Sequence, residues 1–154
     1  MNEWMGELYV QAIAIEREAA GRYGELAEVM TAQGNHAVAA LFRMLAAHEA
    51  RHLEELQRKT AGIMLPALDA DYSWPETLQA DAAQRPLTTE SALAMALAAE
   101  KRARSFFEQA ARIASDRETR ALAHEMAREE AEHVAFIERM MRAGHAADWR
   151  SAAN

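Results

Sequence analysis

Apolar side chains recur every three or four residues along four long stretches of the chain, which is the spacing of one buried face of an α-helix. The first stretch runs from about 3 to 31, with Asn2 as its N-terminal cap. The second starts after Gly34, continues to about Thr60 and stops at Gly62, because glycine favours the left-handed turn that ends a helix. The pattern therefore predicts two consecutive helices joined by a short turn.

Two further helices follow in the second half of the chain. The third begins near Thr88, whose hydroxyl can cap a helix, and the fourth opens at Ser115. Ser115 stands three residues before Glu118, the spacing of a capping box, and Gly144 is predicted to close the fourth helix.

Residues 61–88 break the periodicity and contain all three prolines, so they read as a connection. The two short connections require antiparallel neighbours, whereas this long segment can cross the length of a bundle. The prediction is an all-α, antiparallel four-helix bundle over residues 1–145, with a long crossover between the second and third helices and a tail at 146–154. Tyr72 and Trp74 are expected to anchor the crossover to the bundle.

Composition narrows the class of protein. Apolar residues make up 51% and charged residues 27% of the 154 positions, which suits a folded core. A net charge of −7 disfavours nucleic acid as a partner, and the absence of cysteine excludes thiolate chemistry in this chain. No window resembles a signal peptide or a membrane span, so we expect a cytoplasmic protein that does not enter the membrane.

Charged side chains interrupt the apolar stripe of every predicted helix near its middle. Each stripe carries one glutamate there, and the second and fourth add a histidine three residues later. The six interruptions are Glu16, Glu49, His52, Glu100, Glu130 and His133. All six are predicted to face the core at one level of the bundle.

Four carboxylates facing inward need compensation, because an unpaired charge in a medium of low dielectric constant is very costly. No lysine or arginine lies on these stripes, so no internal ion pair is evident. Two divalent cations would supply four positive charges, and the imidazoles would complete the coordination as neutral donors. Oxygen and imidazole ligands without thiolate suit iron or manganese by ligand type, and zinc by affinity.

The two halves of the chain carry matching ligand sets, which favours an ancestral helix pair used twice. Glu16 and the pair Glu49-x-x-His52 correspond to Glu100 and the pair Glu130-x-x-His133. This set resembles the di-metal carboxylate signature of the ferritin-like superfamily, and within it the rubrerythrin-type and bacterioferritin-type four-helix domains. The resemblance covers about residues 5–142.

The resemblance implies a role for each ligand. Glu49 and Glu130 would bridge two metals, which are iron by resemblance, with manganese or zinc as alternatives. The remaining four ligands would divide between the metals, Glu16 with His52 and Glu100 with His133.

The resemblance also implies that Tyr23 lies beside the centre, where it hydrogen-bonds a ligand or carries an electron. Its counterpart Phe107 can do neither. Ala103 stands where rubrerythrins commonly carry a second carboxylate on the third helix, which weakens a mechanism that depends on a ligand swap. Rubrerythrins also append a four-cysteine rubredoxin domain, so without cysteine this chain is expected to need an external electron donor.

The function expected from this resemblance is that of a non-haem di-iron oxidoreductase that reacts with O2 or hydrogen peroxide, either oxidising Fe(II) or reducing peroxide. An iron storage or carrier protein is the first alternative, although no fifth helix is evident after Gly144. A helical scaffold that holds zinc or no metal is the second. A dimanganese catalase uses a similar ligand set. Association into a homodimer or a larger homo-oligomer is expected from the resemblance.

Overall fold

Four helices form the fold. The computed structural model describes residues 2–69, 74 and 87–147, with side chains as far as residue 144. Helix α1 spans Glu3–Ala32, α2 His36–Lys59, α3 Thr89–Ile113 and α4 Arg117–Ala147. No strand occurs within these ranges, and no helix in them is long and apolar enough to cross a membrane. The predicted all-α four-helix bundle is confirmed.

Four of the predicted helix ends are confirmed by their hydrogen bonds or backbone angles. The Asn2 side chain accepts from the Met5 amide at 2.8 Å, and Thr88 forms a capping box with Ser91. Gly34 and Gly62 follow α1 and α2 with φ angles of 77° and 76°. Because this left-handed region is costly for residues with a Cβ atom, glycine at these positions ends each helix.

Both predicted ends of the fourth helix were wrong. The cap is Asp116 rather than Ser115, because the Asp116 carboxylate accepts from the amide of Thr119 at 2.8 Å and from its hydroxyl at 2.6 Å. At the other end, α4 continues past Gly144 to Ala147. A glycine inside a helix costs only about 1 kcal/mol, and the good helix formers around Gly144 can outweigh that.

Two clusters of buried apolar side chains fill the bundle. They lie on either side of the level that holds the six predicted ligands, which is called the charged layer below. The first apolar cluster contains, among others, Tyr23, Leu26, Phe42, Leu93 and Ile137. The second contains, among others, Leu8, Ile15, Leu56, Phe107 and Met126. The four glutamates lie between the two clusters on their respective helices.

The order in which each helix meets the clusters gives its direction. Helices α1 and α4 run from the second cluster to the first, whereas α2 and α3 both run from the first to the second. Since α2 and α3 are parallel, their connection must return along the bundle, as predicted for the crossover.

The described parts of the crossover lie against α1. Pro66 packs on Gly6, where an added Cβ would lie 3.0 Å from the proline Cδ. Trp74 is buried in the first apolar cluster, as predicted, and the Gln33 side chain donates to the Leu87 carbonyl at 2.6 Å. Tyr72, the other predicted anchor, lies outside the described residues.

Candidate metal centre

All six predicted ligands come together in the layer between the apolar clusters. The four glutamates and His133 are at most 3% exposed, while the side chain of His52 is 11% exposed. Each glutamate lies on its helix between residues of the two clusters, so the packing of both clusters fixes the level of its carboxylate.

The potential ligand atoms form two groups that share one residue. Within each group the atoms lie within 4.8 Å of one another. The larger group consists of Glu49, Glu100, Glu130 and His133, and the smaller one of Glu16, Glu49 and His52. Glu16 and His52 thus fall in one group and Glu100 and His133 in the other, with Glu49 in both.

The two oxygens of Glu49 face different histidines. Its Oε1 lies 2.9 Å from His133 Nδ1, and its Oε2 lies 3.6 Å from His52 Nδ1. A carboxylate with one oxygen toward each half has the arrangement needed to bridge two cations.

The other carboxylates each approach one histidine. His52 Nδ1 is 3.7 Å from Glu16 Oε2, and His133 Nδ1 is 3.5 Å from an oxygen of both Glu100 and Glu130. Glu130 belongs only to the larger group, so its role as a second bridge stays a prediction.

The buried ligand atoms are better placed to bind a cation than to hydrogen-bond with one another. Both oxygens of Glu16 and Glu49, and Nδ1 of His52 and His133, have no hydrogen-bond partner in the described part of the chain. Buried polar atoms are nearly always paired, and each unpaired one costs about 1–3 kcal/mol. Six such atoms directed at one another are typical of a metal site.

The electrostatics of the layer reflect its concentration of negative charge. Burial, and then the neighbouring Glu49, raise the pKa of Glu16 well above its usual value. Burial and then Glu100 do the same to the pKa of Glu130. Although burial opposes it, the approach of Glu16 and Glu49 raises the pKa of His52 to about 10. Glu16, Glu130 and His52 thus hold protons strongly, and a bound metal would have to displace them.

Tyr23 fixes the orientation of one ligand. Its hydroxyl donates a hydrogen bond to Glu100 Oε1, which leaves Oε2 directed at His133. Burial, and then the carboxylates of Glu100 and Glu49, raise the pKa of Tyr23 well above its usual value. The phenol therefore stays protonated and remains a donor at neutral pH.

Different side chains lie beside His52 and His133. Glu129 Oε2 is 3.6 Å from His52 Nε2, whereas the ring of His48 lies 5.7 Å from the ring of His133. Glu129 and His48 are both half-buried beside a predicted ligand. In the sequence each stands one turn before a predicted histidine ligand, His48 before His52 and Glu129 before His133.

A small opening reaches the layer beside His52. It has a volume of about 10 Å³ and is lined by residues that include His52, Leu56, Met126 and Glu129. This is room for about one water-sized molecule. His133 does not line this opening. Ala103 and Phe107 are both buried, and neither adds a polar group to the charged layer.

A four-helix bundle with carboxylate and imidazole side chains gathered at its centre is the architecture of ferritin-like proteins. The family model for rubrerythrin matches residues 7–81. The solved structure of an uncharacterized conserved protein from Magnetospirillum magnetotacticum MS-1 is 32% identical, with a TM-score of 0.80, over 91% of this chain and 92% of that one. A comparison with the curated proteins found no match. The chain belongs to the rubrerythrin-type family of the ferritin-like superfamily.

Proposed function

We propose that this protein is a non-haem di-iron oxidoreductase that reacts with O2 or hydrogen peroxide and draws electrons from Fe(II) or an external donor. The observation that carries the proposal is Glu49, whose two oxygens face the histidines of the two ligand groups. A site for a single metal would not need one carboxylate directed at both groups.

The residues divide into two sets of ligands. Glu16 and His52 would hold one iron, Glu100 and His133 the other, and Glu49 and Glu130 would bridge them. When bound, two ferrous ions would supply one electron each, which suits the two-electron reduction of peroxide or of O2. The oxygen-rich, thiolate-free donor set supports iron or manganese by ligand type.

The surrounding side chains would tune the centre without binding metal. Tyr23 holds Glu100 in one orientation through its hydroxyl. Glu129 faces the outer nitrogen of His52, where it can orient the imidazole and increase its basicity as a ligand.

The oxidant would enter from the side of His52. The small opening beside His52, about 10 Å³ in volume, supports the approach of a small oxidant from this side. Apolar packing on both sides of the charged layer would keep bulk water away.

The proposal is tested by loading the protein with Fe(II) under anaerobic conditions and mixing it with O2 or with hydrogen peroxide. We expect near-ultraviolet absorbance typical of ferric carboxylate centres to develop in the wild type and in Glu132→Gln, an exposed control on α4. The Glu49→Gln variant should lose this rapid phase. Bound iron that neither oxidant oxidises, or zinc as the only metal retained, would overturn the redox assignment.

A further inference from the structure

An open groove lined by basic side chains lies between α3 and α4. Its volume is about 520 Å³, within the range of about 300–1,000 Å³ that is typical of small-molecule sites. The residues that line it include Arg104, Glu108 and Arg112 of α3, and His124, Ala127 and Arg128 of α4. It is called the basic groove below.

The spacing of these residues along their helices spreads the positive charge over the groove. Arg104, Glu108 and Arg112 follow one another at intervals of four residues, so they share one face of α3. Eight residues of helix span about 12 Å, which separates the two arginines on this wall along the groove. Arg128 adds a third guanidinium from the other helix. A ligand in the groove therefore meets positive charge at more than one place.

Two of the three arginines have no partner of their own. The Arg104 Nε donates to Glu108 at 2.8 Å, so the charge of this glutamate is already compensated. Arg112 and Arg128 are exposed, and within the part of the chain that the structure describes they form no hydrogen bond and no ion pair. A guanidinium presents a planar fork of N–H donors that matches the oxygens of a phosphate or a carboxylate. Both side chains are therefore available to bind an anion.

The charged residues of α4 are divided by sign between two sides of this helix. Glu125 and Glu129 line the small opening beside His52, toward α2, whereas His124 and Arg128 line the basic groove, toward α3. The chain as a whole carries −7. The basic groove is therefore a local region of positive charge on an acidic molecule, and such a region attracts anions.

We propose that the basic groove binds a small molecule that carries two phosphate groups. A phosphate has a charge of about −1.5 to −2 at neutral pH and several acceptor oxygens, so it suits an unpaired guanidinium better than a single carboxylate does. Two unpaired arginines on two different helices suit two such groups. The proposal does not depend on the metal centre, because none of the six predicted ligands lines the groove.

The net charge of the protein favours a small ligand over an acidic macromolecule. A nucleic acid or an acidic protein would extend past the groove and be repelled by a surface that carries −7 overall. A small anion is affected mainly by charges within about 10 Å, the distance over which salt screens electrostatic interactions, and in the groove these are largely positive.

Calorimetric titration of the full chain with fructose bisphosphate tests the proposal. We expect a dissociation constant below about 1 mM for the wild type. It should rise at least about tenfold in the double variant Arg112→Gln/Arg128→Gln, which removes both unpaired guanidinium groups. Arg142→Gln is the matched control, since it removes the same charge at an exposed position further along α4. It should leave the dissociation constant unchanged.

Circular dichroism should show equal helicity in the three proteins, because the substituted side chains are exposed. If the double variant loses helicity, each single substitution gives the same comparison, with a smaller rise expected. No binding by the wild type, or equal binding by the wild type and the arginine variants, would overturn the proposal.

Two further titrations distinguish the source of the anion. Inorganic phosphate should bind at least about tenfold more weakly than fructose bisphosphate, because it supplies one anionic group instead of two. Equal affinity would overturn the assignment of a two-phosphate ligand in favour of free phosphate. Tighter binding of polyglutamate, lost in the double variant, would overturn it in favour of an acidic protein segment.

Discussion

Tyr23 contacts both the charged layer and the first apolar cluster. Its ring stacks on Phe42 at 5.9 Å and meets Trp74 edge-on at 5.3 Å, while its hydroxyl donates to Glu100. One side chain therefore helps both to fill the core and to orient the Glu100 carboxylate.

Replacing Tyr23 with phenylalanine separates these two roles. The ring packing should persist, but Glu100 loses a buried donor, so we expect the free energy of unfolding to fall by about 1–3 kcal/mol. Tyr9→Phe, at a half-buried position on the same helix, should change it by less than about 0.5 kcal/mol. Urea denaturation of both variants measures the difference, and equal effects would contradict the role assigned to the Tyr23 hydroxyl.

The Asp116 cap makes the stability of the start of α4 depend on pH. Its hydrogen bonds from the Thr119 side chain and amide lower its pKa from 3.8 to about 2. Because the folded-state pKa is lower than the unfolded one, the ionised cap stabilises the fold above about pH 4, and this contribution is lost as the pH falls toward 2.

The Asp116→Asn variant tests whether the charge of this cap stabilises the fold above about pH 4. Asparagine can still accept from Thr119 but carries no charge, so its melting temperature should lie below that of the wild type at pH 7. The difference should shrink steadily between pH 4 and pH 2 in thermal scans by circular dichroism. A difference that stays constant over this range would contradict the assignment.

At the scale of elements, Trp74 attaches the crossover to the bundle. Its indole lies in the first apolar cluster, and its amide donates to Glu18 at 3.3 Å. The indole nitrogen has no hydrogen-bond partner within the described residues. Within the described residues, the contacts of the Trp74 side chain are therefore packing contacts.

Two substitutions of Trp74 should therefore lower the free energy of unfolding by different amounts. Trp74→Ala leaves a large cavity and should cost about 3–5 kcal/mol, whereas Trp74→Phe keeps a ring in place and should cost less than half as much. Chemical denaturation measures both. Equal losses would show that the indole N–H group has a partner important for stability.

The sequence predicts these elements well where local chemistry sets them. Helical period, caps and glycine turns place α1, α2 and the start of α3 within a residue or two, because each signal acts inside one segment. At the start of α4, however, Ser115 and Asp116 are both good caps, and only the contact with Thr119 distinguishes them. The positions of Pro66 and Trp74 against α1 depend on contacts across the fold, which periodicity does not encode.

For the whole molecule, the gathering of the six predicted ligands could be predicted, because their positions on the four apolar stripes put them at the same height in the bundle. Contacts between helices were harder to foresee. The approach of Glu129 to His52 depends on how α2 and α4 are rotated, and a half-exposed glutamate is usually a solvated one. The sequence therefore indicates which residues form the layer better than which residues support it.

Metal should stabilise the fold, because four carboxylates confined to one layer repel one another. At a free concentration of Fe(II) about one hundred times the dissociation constant, linkage adds about 2.7 kcal/mol, or roughly 5–10 °C in melting temperature. Anaerobic thermal scans with and without metal measure this shift. Identical melting temperatures would show that the glutamates do not bind the cation.

The central claim, two metals that share Glu49, is tested most directly by elemental analysis of the iron-loaded protein. The account predicts about two irons per chain in the wild type and in the exposed control Glu132→Gln, and at most one in Glu49→Gln. Two irons retained by Glu49→Gln would contradict the bridging role, and no iron in the wild type would contradict the centre itself.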